Sequence, residues 1–356
     1  MHINIVNGPI KVLPCLNEVK VAREPEQQTA YTIVDFVESG TKCSSKNVYS
    51  DARGNQESTC TKNIGGTNSL QYYPYSRLEP NYVETFRRDT DRNPPKKSCD
   101  MYTAESLLRM IFRMAKESHI GNHNNIFIIA THHNRMKGNY SKTRPLKNVV
   151  NFITGQHRIE FEGFFPIGHR SFANCCCISL SHGRVECVFG GFPDKLGEYI
   201  FPREDCSSQD RIDLHLALDP SARERLIALS YEIPMGVEFI FVRHGNSLHN
   251  APLKVKTRDS SLTTVGIQQA MHAGTAIYQH IHKKESEDRV YVHPCASYLF
   301  RAQHTVALIA ERIGHLFAVD PTSTYHKETH IPERVQRFVR WANEEAQRRE
   351  ISVIRR

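Results

Sequence analysis

The chain has 356 residues, 39% of them hydrophobic, enough to bury a substantial core in one large domain or two small ones. Its formal net charge of +8 suits an anionic partner, but the 46 Lys and Arg residues are spread out, and their densest group (Arg87, Arg88, Arg92, Lys96, Lys97) sits in a Pro-interrupted stretch without a nucleic-acid-binding motif, which argues against nucleic acid. No run of about 18 apolar residues marks a membrane span, the N-terminus lacks the basic and apolar regions of a signal peptide, and the ten cysteines follow no zinc-ligand spacing, so reduced thiols and a cytoplasmic location are expected.

Residues 38–100 are rich in Ser, Thr, Asn, Lys, Gly and Pro, and read as an insertion. A solvated loop fits residues 40–68 best; a substrate-selecting lid fits residues 69–97, where Tyr72, Tyr73 and Tyr75 accompany Arg and Lys. Beyond it, Leu107, Leu108, Ile111, Met114 and Ala115 recur at helical spacing. A polar break at residues 121–125 then gives way to the unbroken apolar run 126–130, the pattern of a strand buried on both faces, which ends in Thr131-His132-His133. Residues 172–180 contain Cys175, Cys176 and Cys177, which as neighbours in a strand cannot all face one side. His182-Gly183 lies between two alternating stretches and predicts a hairpin turn, which makes His182 a turn residue rather than a ligand-binding one. Residues 206–235, with Asp219-Pro220 and a helix ending at Ser230, read as a connector.

Residues 238–242 form a short apolar strand running directly into Arg243-His244-Gly245. The carboxyl end of such a strand is where ligands sit in an α/β protein, and these three residue types suit a tetrahedral anion. Arg offers a forked donor, Gly admits close backbone approach with N–H groups, and a neutral imidazole can attack phosphorus. Thr263 or Thr264 can cap the next helix, whose apolar face runs through Ile267, Ala270, Met271, Gly274, Ile277, Tyr278 and Ile281. A strand at residues 290–292 follows, then a helix opened by Arg301, with Gly314 as its expected stop. The tail predicts a helix over residues 333–350 leading into a short strand at 351–354.

Three blocks stand in order: Arg243-His244-Gly245-Asn246-Ser247 with Asn250, then Leu262-Thr263 with Gly266, Gln269 and Ala270, then Arg301-Ala302 with Thr305. Over residues 236 to 314 they resemble the histidine phosphatase superfamily, in its phosphoglycerate mutase-like branch. The resemblance implies a three-layer α/β/α sandwich with a mainly parallel central sheet, His244 as nucleophile, and Arg243, Arg301 and Asn250 on the phosphoryl oxygens. It also implies a second, phosphate-binding His and a proton-donating acid, both downstream of the Arg-Ala helix. Here they lie upstream: Thr131-His132 resembles the second-His element, with His133 facing a loop, and residues 10–18 resemble the strand that carries the acid, Glu18. Glu328 and Glu333 in the tail are rival acids.

Residues 1–205 thus look like the back of the fold and residues 236–320 its front, joined by the connector and followed by a helical tail at 321–356. Either the chain is a circular permutant with one composite cleft, the favoured reading, or it is the remnant of two tandem copies, with residues 323–333 as a second acid strand. The expected activity is hydrolysis of a phosphorylated small molecule or phosphoprotein through a phosphohistidine, without metal or cofactor. A phosphoglycerate-type mutase is disfavoured because the Gly-x-Trp-Glu-Gly stretch after the acid is missing and the sole Trp, Trp341, lies in the tail. The rival from another class is a non-catalytic phosphoryl-binding relic.

Overall fold

The computed structural model describes residues 2–5, 10–12, 16, 70–72, 104–117, 123–137, 163–165, 172–192, 220–248, 260–284, 289–297, 299–319, 331 and 333–354. Eight strands, β1 (His2–Ile5), β2 (Ile10–Val12), β3 (Leu70–Tyr72), β4 (Asn124–Thr131), β5 (Cys177–Ser181), β6 (Arg184–Phe189), β7 (Val237–Arg243) and β8 (Arg289–Ala296), make one sheet. Among the described residues, six helices accompany it: α1 (Ala104–Glu117), α2 (His133–Lys137), α3 (Pro220–Ser230), α4 (Thr264–His282), α5 (Phe300–Val319) and α6 (Glu333–Ile354).

The strand order is β3-β2-β8-β4-β7-β5-β6, and β1 pairs with the first half of β8. The two strands of the C-terminal part, β7 and β8, do not touch each other. β4, from far upstream, lies between them and is parallel to both. The continuous apolar run of β4 has this cause: with neighbours on both edges and helices on both faces, none of its central residues meets water. Side chains alternate between two cores. Ile126, Ile128, Ile240 and Val242 face α4, α5 and α6, while Phe127, Ile129, Phe239 and Phe241 face α1 and α3.

The sheet is mixed: β5 runs antiparallel to both β6 and β7, while β1, β2, β3, β4, β7 and β8 pair with one another in parallel. The β5–β6 hairpin turns at His182-Gly183, with Gly183 at φ 66°, as its sequence predicts. At the entry to β5, Cys175 and Cys177 enter one core and Cys176 the other. Burial pushes the Cys175 and Cys177 thiols up, so these cysteines act as packing groups.

Three expectations need correction. Gly314 does not stop α5, which continues to Val319; a Cβ there would lie 2.3 Å from Ile331 Cγ1, so the glycine makes room for the segment leading into α6. Residues 351–354 are the last turn of α6 rather than a strand, since the helix bonds continue and Ser352 Oγ donates back to the Arg349 carbonyl at 2.7 Å. Residues 70–72, expected in a lid, are the edge strand β3 beside β2. The remainder of the 38–100 insertion and the second acid strand expected before residue 331 lie outside the described residues.

At the far end of β7, the buried Glu238 carboxylate gathers a polar cluster. Ser179 Oγ donates to Oε1, His280 Nε2 lies 2.7 Å from the same oxygen, and Lys284 Nζ donates to Oε2 at 2.8 Å. Burial alone would raise this carboxyl, but His280 and Lys284 outweigh it and bring it down from the usual 4.5 to about 2. This cluster ties α4 to the sheet. With Glu186 it is the one His/Glu grouping among the described residues with metal-ligand spacing, and Lys284 already neutralises its central carboxylate.

Candidate active site

The register of β8, β4 and β7 brings three strand ends level: Ala130 stands opposite Ala296, and Thr131 opposite Arg243. The ladder extends one step past the strands. His244 N donates to Thr131 O at 3.0 Å and Ser297 N to Ala130 O at 3.0 Å. Ser297, His132 and His244 therefore line the carboxyl edge of three adjacent parallel strands, the position where α/β sheets bind ligands. The His132 and His244 rings sit edge to face, 5.1 Å between centroids.

His244 is held in one tautomer by two contacts. Its Nδ1 lies 2.7 Å from the Gly245 carbonyl, which can only accept, so the proton resides on Nδ1. Arg301 Nε donates to His244 Nε2 at 3.1 Å, which requires a lone pair there. Both contacts select a neutral imidazole with a nucleophilic Nε2 beside a guanidinium. Arg243, the last residue of β7, is buried and donates through Nη1 to the Phe172 carbonyl at 2.5 Å.

The three sequence blocks meet at this turn, and their contacts account for residue types the chemistry does not use. Gly245 N donates to Thr305 Oγ1 at 3.1 Å, and Thr305 passes its own proton back to Arg301 O at 2.7 Å. Asn246 N donates to Gln269 Oε1 at 2.8 Å, and Thr263 Oγ1 donates to Asn246 Oδ1 at 3.0 Å while capping α4 by accepting from Gly266 N. The expectation that the Arg-His-Gly turn offers its N–H groups to an anion is thus corrected, because Thr305 and Gln269 take the N–H groups of Gly245 and Asn246. Glycine is required for close approach instead. A Cβ on Gly245 would stand 2.5 Å from Gly266 O, and one on Gly266 would stand 2.0 Å from Asn246 O.

His132 is fully buried and its Nε2 lies 2.7 Å from Ser297 Oγ. Burial pushes the ring well below the usual 6.5, and Arg301, His244, Arg135 and Arg243, in that order, push it the same way. The ring is neutral in this field, and an arriving anion would oppose the contributions of the three arginines. His133 turns to the neighbouring loop as expected, with Nδ1 3.4 Å from Phe172 O. His182 stays at its hairpin, with Nδ1 2.8 Å from Ile233 O, away from this edge.

Of the residues expected at the site, the structure brings together Arg243, His244, Arg301 and His132; Glu18 and Asn250 lie outside the described residues. β2, the strand expected to lead to the acid, is nonetheless next to β8, and Leu16, just beyond it, accepts a hydrogen bond from Thr131 Oγ1 at 2.8 Å. Glu333 opens α6 as an exposed residue paired with Arg337. Sequence reasoning missed Ser297 and Arg135. Arg135 stands one helical turn after His132 and is completely buried; its spacing was visible, but nothing in a Thr-His-His-Asn-Arg string says which way it turns. No curated protein and no solved structure matches the chain. Residues 239–324, which run from β7 through α5 and supply His244, Arg243 and Arg301 but neither His132 nor Glu18, match the family model of the histidine phosphatase superfamily (branch 1).

Proposed function

We propose that the protein is a metal-independent phosphomonoesterase acting through a phosphohistidine on His244. The observation that carries this reading is the state of that ring: Nδ1 is tied to Gly245 O, Nε2 presents its lone pair to Arg301, and His132 packs edge to face against it. Nε2 attacks the phosphorus of a monoester, the P–N bond forms, and the ester P–O bond breaks. Arg301 shifts its donors from Nε2 to the phosphoryl oxygens, where Arg243 and His132 also neutralise charge, and Asn250 adds a donor. Glu18, protonated, gives its proton to the leaving alkoxide; as carboxylate it then takes one from the water that splits the P–N bond, returning His244 to its starting state.

The assignment of Glu18 draws support from Leu16, whose carbonyl meets Thr131 beside His132, because two residues span at most about 7 Å. Glu333 is disfavoured by its exposure and its ion pair with Arg337. The interleaving of β4 between β7 and β8 supports one composite cleft built from an inverted order of parts, as a circular permutation would leave it. Substrates are phosphorylated small molecules or phosphoproteins, and the cytoplasm is the proposed location.

The test is turnover of an aryl phosphate in excess chelator, with acid-labile label trapped on the protein. Wild type should turn over and carry label, and His244→Ala should lose activity by at least about 10³-fold, the scale expected when a nucleophile is removed. Complete loss of wild-type turnover on chelation would overturn metal independence. Phosphate binding with no turnover by any substrate would leave a phosphoryl-binding protein in place of an enzyme.

A further inference from the structure

We propose that Ser297 is a positioning residue for His132, holding Nε2 so that Nδ1 serves the phosphoryl group, and that its hydroxyl lets His132 take up a proton when the anion binds. The inference rests on the phosphoryl-binding reading of this edge. Ser297 immediately follows β8, where its N–H continues the ladder to Ala130 O, so its side chain is held by the sheet. Ser297 and His132 are both fully buried. Leu299 N donates to Ser297 Oγ at 3.3 Å, and His132 Nε2 lies 2.7 Å from the same oxygen.

A hydroxyl has one proton and two lone pairs. With Leu299 N–H already directed at one lone pair, the hydroxyl proton is best spent on His132 Nε2. That leaves the neutral ring with its proton on Nδ1, a donor for a phosphoryl oxygen. When a phosphate dianion binds, the imidazolium becomes favoured, and Nε2 gains a proton of its own. The hydroxyl then rotates and accepts from Nε2–H. Serine or threonine satisfies both protonation states; alanine satisfies neither, and it leaves a buried N–H or lone pair unmatched. The charged and titratable groups acting on His132 are Arg301 from α5, His244 and Arg243 from the end of β7, and Arg135 from α2. All of them oppose its protonation in the ligand-free protein, so uptake of the proton depends on the anion and on an acceptor at Nε2.

The experiment titrates inorganic phosphate calorimetrically into the full chain between about pH 5 and 8, where histidine ordinarily changes charge, alongside thermal stability and turnover. The variants are Ser297→Ala, Ser297→Thr, His132→Ala and the Ser297→Ala/His132→Ala pair; subtracting the His132→Ala profile removes the titration of phosphate itself. Wild-type affinity should rise as pH falls, with proton uptake. Ser297→Ala should bind roughly tenfold more weakly at the acid end, the scale of one lost buried hydrogen bond, and its pH dependence should flatten. Ser297→Thr should restore the profile, and the double variant should match His132→Ala alone. A Ser297→Ala protein with lowered melting temperature but an unchanged phosphate profile would overturn the inference, leaving only a cap for Leu299 N–H; so would additive losses in the double variant. Phosphate binding in wild type without turnover would remove the phosphatase reading while these comparisons still decide the role of Ser297. Absence of phosphate binding by wild type would remove both.

Discussion

Replacing Glu238 with Gln keeps the shape of a buried side chain and removes its charge, leaving His280 and Lys284 facing a neutral amide. The folded carboxyl titrates at about 2 against the usual 4.5. Multiplying that difference by 1.36 kcal/mol per unit gives about 3 kcal/mol of stability at neutral pH, an order of magnitude rather than a fine value. The folded pKa is depressed, so the contribution is fully present above about 4.5 and is lost as pH falls through 2. At pH 3 roughly 1.5 kcal/mol, about half, should remain. Urea unfolding of wild type and Glu238→Gln at pH 7, 5 and 3 measures this directly. The gap between the two proteins should be about 3 kcal/mol at pH 7 and 5, and clearly narrower at pH 3. Because Glu238 lies near the start of β7 and His244 follows its other end, turnover per folded molecule should be unchanged. A gap below about 1 kcal/mol at pH 7, or one that does not narrow in acid, would refute the reasoning, since a paired buried carboxylate has to show both.

Gly266→Ala should damage stability and turnover together, because its Cβ would fall 2.0 Å from Asn246 O, a backbone atom that can yield only by moving the His244 turn. A stable variant with wild-type kcat/KM would show that the packing of α4 against the turn is dispensable. Glu18→Gln should lower kcat/KM by about 10²–10⁴ for alkyl phosphates and much less for aryl phosphates with acidic leaving groups, the mark of a lost proton donor. Equal losses for both leaving groups would point to a different acid.

Periodicity and turn chemistry reach the elements well: the apolar run into Arg243-His244, the Thr263 cap, the helix opened by Arg301 and the strand ending at Thr131 are all recovered. They fail at Gly314 and at residues 351–354. A glycine in a helix and a glycine after one look alike until Ile331 is placed against it, and a β-branched run becomes a strand only where a neighbouring edge offers partners. The backbone N–H groups of the Arg-His-Gly turn read as available in a string of letters because Thr305 and Gln269 are 60 and 23 residues from the groups they bind.

What the sequence determined by itself is the chemistry of each group: an imidazole flanked by arginine and glycine at a strand end, a second arginine on the first turn of a helix, and a histidine closing a fully apolar strand. Local covalent structure dictates those. Only the tertiary structure decided that His132 meets His244, because that depends on β4 entering between β7 and β8, and a fully buried strand satisfies its hydrogen bonds equally well beside any parallel neighbour. The tautomer of His244 and the contact of His132 with Ser297 belong to the same level. Each requires atoms brought within about 3 Å of one another, a distance that register and helix packing set and that no residue type carries alone.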